Sequence, residues 1–267
     1  MTTILHPSRW ITPLGAAAVA FIASGCGQSP PQAAAPVYPL DAPTAAAPYS
    51  PVLAKPGQPG AKAERPDSAR PFGAPAHADL GRERVSTEAR RIADWIVDSA
   101  DNQGLPFIIV DKINAKVLAF GGDGRLRGAS PALLGLAHGD DSVPGIGERK
   151  IADIRPEERT TPAGRFVAEM GVNANGEDIL WVDYDAAVSM HRVRTANRAE
   201  RRLQRLATAT AADNRISYGC INLPVAFYEQ VVKPLFAARN GIVYVLPETR
   251  PARAFFGAYE VLRTSRR

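Results

Sequence analysis

The sequence predicts a β-rich α+β domain rather than an alternating βαβ chain. Three observations carry that reading. Short strand-like segments recur at 107–110, 116–120, 126–130, 164–170, 178–183, 187–191 and 242–246, with Gly- or Asn-containing turn signals between several of them. Helical periodicity is confined to a few stretches, near 86–100, 196–208 and 224–237. Strand signals follow strand signals directly, without the intervening helix that a parallel α/β fold needs.

Each element has a local reason. Ser86 is placed to cap a helix that runs to about Ala100, with Ile92, Trp95, Ile96 and Ala100 on one face. Phe107 to Val110 reads as a buried strand, Lys112-Ile113-Asn114-Ala115 as a turn and Lys116 to Phe120 as the returning strand. Gly121-Gly122-Asp123-Gly124 closes the next turn. Leu223-Pro224 opens an amphipathic helix with Val225, Phe227, Tyr228, Val231 and Val232, and Pro suits an early helical position. The pairs Asp140-Asp141 and Asp183/Asp185 lack calcium-loop spacing and read as turn and strand-end residues. Gly145-Ile146-Gly147 lacks the third glycine of a dinucleotide fingerprint, because Lys150 stands there.

Composition bounds the function. The 267 residues are 45% hydrophobic and 22% charged, enough to build a core. A net charge of +5 suits an anionic surface or polymer without demanding nucleic acid, and no nucleic-acid partner is expected. Two cysteines, Cys26 and Cys220, allow neither a disulfide framework nor a Cys-rich zinc site.

The N-terminus reads as an export signal. Trp10 to Ile22 is a nearly unbroken apolar run of 13 residues, too short to span a bilayer. Small residues Ala23-Ser24-Gly25 precede Cys26, and this resembles a bacterial lipobox, although Ala23 stands where Leu is usual. The expectation is lipidation of Cys26 and a stable membrane anchor. Gly27, rather than Asp, follows the cysteine, which resembles outer-membrane sorting; the expected location is the periplasm, anchored to the outer membrane in preference to the inner. From Gly27 to about Leu80 the chain holds 12 of the 23 prolines and reads as an extended tether. The expected division is therefore 1–25 signal, 26–80 tether, 81–104 leading helix, 105–247 catalytic domain and 248–267 C-terminal extension.

The chemistry concentrates in Arg215-Ile216-Ser217-Tyr218-Gly219-Cys220-Ile221-Asn222-Leu223. With Cys26 acylated, Cys220 has no disulfide partner, and an unpaired thiol in an exported protein is a reactive candidate. Gly219 permits a tight bend that leaves N–H groups pointing into a site, as an oxyanion requires. A Cys just before a helix N-terminus also feels the positive end of the dipole. A thiol nucleophile needs a base. His6 leaves with the signal and His77 lies in the tether, so His138 and His191 remain. His191 ends an apolar strand on a rigid scaffold and is the favoured base.

His191 followed by Ser217-x-Gly219-Cys220-Ile221-Asn222 resembles the active-site signature of the L,D-transpeptidase (YkuD-type) family, in a bacterial lipoprotein form. Thr160-Thr161-Pro162-Ala163-Gly164-Arg165-Phe166 is similar to that family's Thr-Pro-x-Gly-x-Phe segment, and the likeness covers about 105–247. The resemblance implies a mixed β-sandwich with a few short helices. It implies a Cys220 thioester formed on peptidoglycan stem peptides, with His191 as base, the N–H groups of Tyr218, Gly219 and Cys220 at the oxyanion, and no metal or organic cofactor. Ser217 and Asn222 support the turn, and a backbone carbonyl, with Arg192 the candidate, orients the imidazole.

Two departures stand out. Tyr218 occupies a position where the family commonly has His, and 25 residues separate His191 from Ser217, more than is usual. That stretch carries Arg198, Arg201, Arg202 and Arg205, read either as a solvated helix face or as a lid whose Arg201 and Arg202 meet substrate carboxylates. Two alternatives to the transpeptidase remain: a non-catalytic wall-binding lipoprotein on the same fold, and an L,D-carboxypeptidase or amidase using the same Cys-His pair.

Overall fold

The structure, a computed structural model, describes residues 76–262. The expected signal peptide, the Cys26 lipidation site and most of the tether lie outside the described residues. The described chain is a mixed α+β domain, sheet-rich with a few short helices. Helix α1 spans Thr87–Ser99. The strands are β1 (Phe107–Asp111), β2 (Lys116–Phe120), β3 (Leu126–Pro131), β4 (Leu134–Gly135), β5 (Gly164–Val172), β6 (Asp178–Asp183), β7 (Val188–Arg192), β8 (Arg215–Ser217), β9 (Ile221–Leu223) and β10 (Gly241–Val245). Eight of them form one sheet in the order β3-β2-β1-β10-β5-β6-β7-β9, and β4 pairs with β8 in a second, small sheet.

The central strands are buried on both faces, which explains their unbroken apolar runs. Ile108 and Val110 of β1 enter a first core with Leu180 and Val182 of β6, Met190 of β7 and Ile221 of β9. Apolar residues from both ends of the sheet meet there, so one hydrogen-bonded sheet packs on itself. Phe107 and Ile109 of the same strand face a second core with α1, Leu118, Phe120 and Tyr244. The Phe107 and Phe120 rings stack in that second core with centroids 4.6 Å apart.

Helix α1 begins where its cap requires: Ser86 Oγ accepts from the Ala89 N–H at 3.0 Å. It ends one residue earlier than the periodicity suggests. Ala100 adopts a left-handed conformation (φ 56°) as the C-terminal cap, so it leaves the apolar face that Ile92, Trp95 and Ile96 do form. The tether also ends earlier than its composition suggests. Ala78 and Leu80 are buried in the second core, and Asp79 exchanges backbone hydrogen bonds with Gly124 and Leu126. The segment read as a C-terminal extension joins the same core through Ala252, Ala258 and Val261, with helix α4 at Ala252–Phe256.

Two further helices differ from the periodic pattern. The stretch expected as one helix over 196–208 is a 3-10 turn at Arg198–Glu200, a left-handed Arg201 (φ 51°) and a short helix α2 at Arg202–Ala207. The helix expected over 224–237, α3, runs as Val225–Phe227, a π turn at Tyr228–Val232 and Lys233–Phe236. Pro234 has no N–H to offer the carbonyl four residues back, and the widened turn passes it.

The pairing that builds the site is β7 with β9, which run parallel with Met190 opposite Ile221 and His191 opposite Asn222. Parallel neighbours cannot be joined by a tight turn and need a crossover of a dozen or more residues. The 25 residues between His191 and Ser217 belong to that crossover.

Candidate active site

Cys220 sits at the entrance to β9, in the turn Tyr218-Gly219-Cys220 that follows β8. Gly219 has φ 133°, and a Cβ there would lie 2.8 Å from the Thr160 carbonyl oxygen, so only glycine fits. Ser217 locks the turn from inside. Its hydroxyl donates to the Cys220 carbonyl at 2.6 Å and accepts the Gly219 N–H at 3.1 Å. The Gly219 N–H is thus already engaged, contrary to the expectation that it faces an oxyanion. Asn222, 1% exposed, donates from Nδ2 to the same Cys220 carbonyl at 3.2 Å.

The thiol lies among groups carried by β7. In the parallel register Cys220 falls beside Ser189, whose Oγ is 3.6 Å from Sγ, and Sγ donates to the Ala187 carbonyl at 3.7 Å. Ala187 is left-handed (φ 52°), and β7 begins only after it, at Val188. Two residues beyond Ser189 on the same strand face stands His191, near enough to lower the thiol. Its Nδ1 is 2.7 Å from the Arg192 carbonyl oxygen. A carbonyl only accepts, so Nδ1 carries the proton and Nε2 is left for the thiol.

Burial pushes the Cys220 thiol up. The hydrogen bond and charge of His191, with the backbone and hydroxyl of Ser189, outweigh that and bring it from 9.0 down to about 7. Cys220 is therefore partly thiolate near neutral pH, beside the His191 imidazole. Such a pair can attack an acyl carbon and hand a proton to the leaving group.

The Thr160-Thr161 segment braces the turn from below. Thr161, fully buried, donates from Oγ1 to the Gly219 carbonyl at 2.8 Å and accepts the Gly135 N–H at 2.9 Å. Its own carbonyl accepts from Lys112 Nζ at 3.0 Å. Lys112 belongs to the turn after β1, yet its side chain is fully buried, 2.9 Å from Asp140 and 3.6 Å from Glu248. Glu248 is also paired with Arg215, two residues before Ser217. Asp140, read from sequence as a plain turn residue, is the buried acid of this network. It accepts the N–H groups of Glu248 and Thr249 at 2.7 and 3.0 Å.

Sequence reasoning missed Ser189, Thr161's role, Lys112 and Asp140. The period-two alternation of β7 places Ser189 on the face of His191 and could have found it. A lysine in a turn carries no sign of burial.

The remaining sequence candidates separate cleanly. His138 is 72% exposed, with Nδ1 3.1 Å from Glu248, so His191 is the imidazole at the thiol. Tyr218 is 39% exposed, and the Arg159 guanidinium lies 3.9 Å over its ring. Arg202 is turned inward: its side chain is 13% exposed, 2.5 Å from Glu200, and it donates from Nη1 to Asn222 Oδ1 at 2.7 Å. Arg201 stays exposed and donates to Gln204 at 3.3 Å. A cleft of about 360 Å³ opens beside His191, lined among others by Asp178, Ile179, Arg192, Arg194 and Val225. Among the described residues no group of three or more His, Cys, Asp or Glu is placed to hold a metal ion.

Fold and site together define an α+β domain that presents a thiol–imidazole pair at the edge of a mixed sheet. No protein-family model matches the chain, and no curated protein matches it. Solved structures do. The Ldtfm–avibactam carbamoyl enzyme is 19% identical, with a TM-score of 0.31, over 53% of this chain and 49% of that one. The catalytic domain of the E. faecium L,D-transpeptidase is 20% identical, with a TM-score of 0.29, over 52% of this chain and 95% of that one. L,D-transpeptidase LdtMt1 in complex with imipenem is 17% identical, with a TM-score of 0.29, over 53% and 58%. The chain spans about half the length of the first of these.

Proposed function

We propose that this chain is a cysteine-dependent L,D-transpeptidase acting on peptidoglycan stem peptides, held at the periplasmic face of a membrane by lipid on Cys26. The observation that carries the reading is the Cys220 thiol, in a turn locked by Ser217, against the strand face of Ser189 and of His191, whose Nδ1 is fixed on the Arg192 carbonyl. In this reading the Cys220 thiolate attacks the peptide carbonyl before the terminal D-residue. The Tyr218 and Cys220 N–H groups receive the oxyanion, since Ser217 holds that of Gly219. The imidazolium of His191 gives its proton to the leaving amine as the C–N bond breaks, leaving a thioester on Sγ. An acceptor amine then attacks the thioester, its proton passes to His191, and the thiolate departs.

The test incubates the chain with stem tetrapeptide, with and without an amine acceptor, and follows D-amino acid and products by mass spectrometry. Release of the D-residue, an acyl adduct on Cys220 and a cross-linked product are expected. Release into water alone, with acceptor present, makes the enzyme a carboxypeptidase. No adduct and no release, with Cys220 still open to thiol reagents, ends the enzymatic reading.

A further inference from the structure

The part of the crossover around α2 is stitched to itself. Arg202 is paired with Glu200, and Arg205 donates from Nε to the Glu200 carbonyl at 2.8 Å and from Nη1 to the Asp213 carbonyl. The charges of these two arginines therefore have partners inside the segment. Two contacts, one polar and one apolar, then join α2 to the site.

Arg202 Nη1 donates to Asn222 Oδ1 at 2.7 Å, and Asn222 Nδ2 donates to the Cys220 carbonyl at 3.2 Å. A guanidinium has donors only, so it fixes which end of the buried amide faces it and directs Nδ2 at the Cys220 carbonyl. A charged donor on Oδ1 also polarises the amide and strengthens its donation. Leu206 of α2 packs with Val193, Leu133 and Ile216 in a small apolar cluster. Val193 lies two residues after His191, Ile216 one before Ser217, and Asn222 two after Cys220. The backbone of Leu133 exchanges both its hydrogen bonds with that of Asn222, each at 2.9 Å.

We propose that α2 is a built-in brace for the thiol–imidazole pair, with Arg202 a positioning residue that acts on Cys220 through Asn222 rather than a group that meets substrate. The proposal rests on the transpeptidase reading for its turnover measurements and on the geometry alone for its thiol measurements. Without Arg202 the Asn222 amide loses its orienting partner, the Cys220 peptide plane loosens, and Sγ drifts from Ser189 and His191.

The experiment uses the full chain carrying Cys26→Ser, so that Cys220 is its one thiol, and compares Arg202→Ala, Arg202→Gln, Arg202→Lys and Arg201→Ala. Three quantities are read: kcat and KM on stem tetrapeptide, the pH midpoint of Cys220 reactivity toward a small neutral disulfide, and the melting temperature. Arg202→Ala is expected to lower kcat about tenfold, as a small misplacement of a reacting group does, to leave KM unchanged and to move the reactivity midpoint upward. Arg202→Lys keeps a charged donor for Oδ1 and is expected to recover most of both. Arg201→Ala is expected to change neither.

A raised KM with kcat and midpoint unchanged would return Arg202 to substrate binding and overturn the brace. So would a lowered melting temperature with kcat and midpoint intact. Arg202→Gln, which stays polar but is too short to reach Asn222 Oδ1, is the milder variant. An unmoved midpoint there overturns the proposal even where Arg202→Ala fails to fold. If the wild type turns over no stem peptide, the transpeptidase reading fails, and the reactivity midpoints still decide the brace.

Discussion

Replacing His191 by Ala separates the two effects that set the Cys220 thiol. Burial is the largest and pushes it up; His191 and Ser189 bring it down to about 7. Without the imidazole, burial dominates and the thiol returns to its ordinary 9.0 or above. At pH 7 the thiolate fraction then falls from about one half to about one in a hundred, a loss of about fiftyfold. Thiolate nucleophilicity works the other way. It rises with basicity with a Brønsted slope of about 0.45, so a rise of about two pH units returns about eightfold. The net expectation is a loss of about sixfold at pH 7 and a gain of about eightfold on the alkaline plateau, the two profiles crossing near pH 8. The assay is the rate of reaction with dipyridyl disulfide from pH 5 to 11 in a Cys26→Ser background. A His191→Ala midpoint that stays near neutrality, or a variant slower at every pH, refutes the assignment of the depressed thiol to His191.

Further outcomes follow from neighbouring contacts. Cys220→Ala abolishes turnover of stem peptide while leaving the melting temperature within a few degrees, because the side chain is only half-buried in its turn; full activity in that variant removes the thioester. Lys112→Met strands the buried Asp140 carboxylate, at a cost of about 3 kcal/mol, or roughly 6–12 °C of melting temperature for a domain of this size. The pH dependence has a definite sign. Burial raises the Asp140 carboxyl, but the Thr249 hydroxyl, the Glu248 and Thr249 N–H groups and Lys112 hold it below the usual carboxylate range. Its stabilisation is therefore present above that range and lost as the pH falls through and below it, and in Lys112→Met the loss begins at a higher pH. Calorimetry from pH 8 down to the lowest pH at which the chain stays folded reads both. Thr161→Val leaves the Gly135 N–H and Gly219 carbonyl without their shared partner, costing about 1–3 kcal/mol for each group, and denaturant unfolding together with thiol reactivity reports it.

The strands β1, β2, β6 and β10 were legible because each carries an apolar run of strand length. The Cys220 turn and His191 were singled out by residue type and position, and the Arg192 carbonyl only through the family resemblance. The illegible parts are those where tertiary contacts override a local signal. Arg202 belongs to a run of arginines that looks solvated, and only the parallel β7–β9 pairing brings it over Asn222. Lys112 looks like a turn residue until Asp140, far along the chain, closes over it. Ala78 and Leu80 look like the end of a proline-rich tether, since two small apolar residues cannot announce the groove they fill beside α1.

The parallel pairing of β7 with β9 also dictates when the thiol becomes reactive. Ser189 and His191 reach Cys220 only after the chain has closed a loop of about thirty residues, and non-local parallel pairing is among the slower events of folding. A nascent or unfolded chain therefore carries an ordinary, mostly protonated thiol, and its thiolate character arrives with that long-range contact rather than with synthesis. Pulse labelling of Cys220 at neutral pH during refolding would read the closing of that strand pair directly. It would also date the moment at which the thiol gains its reactivity at neutral pH.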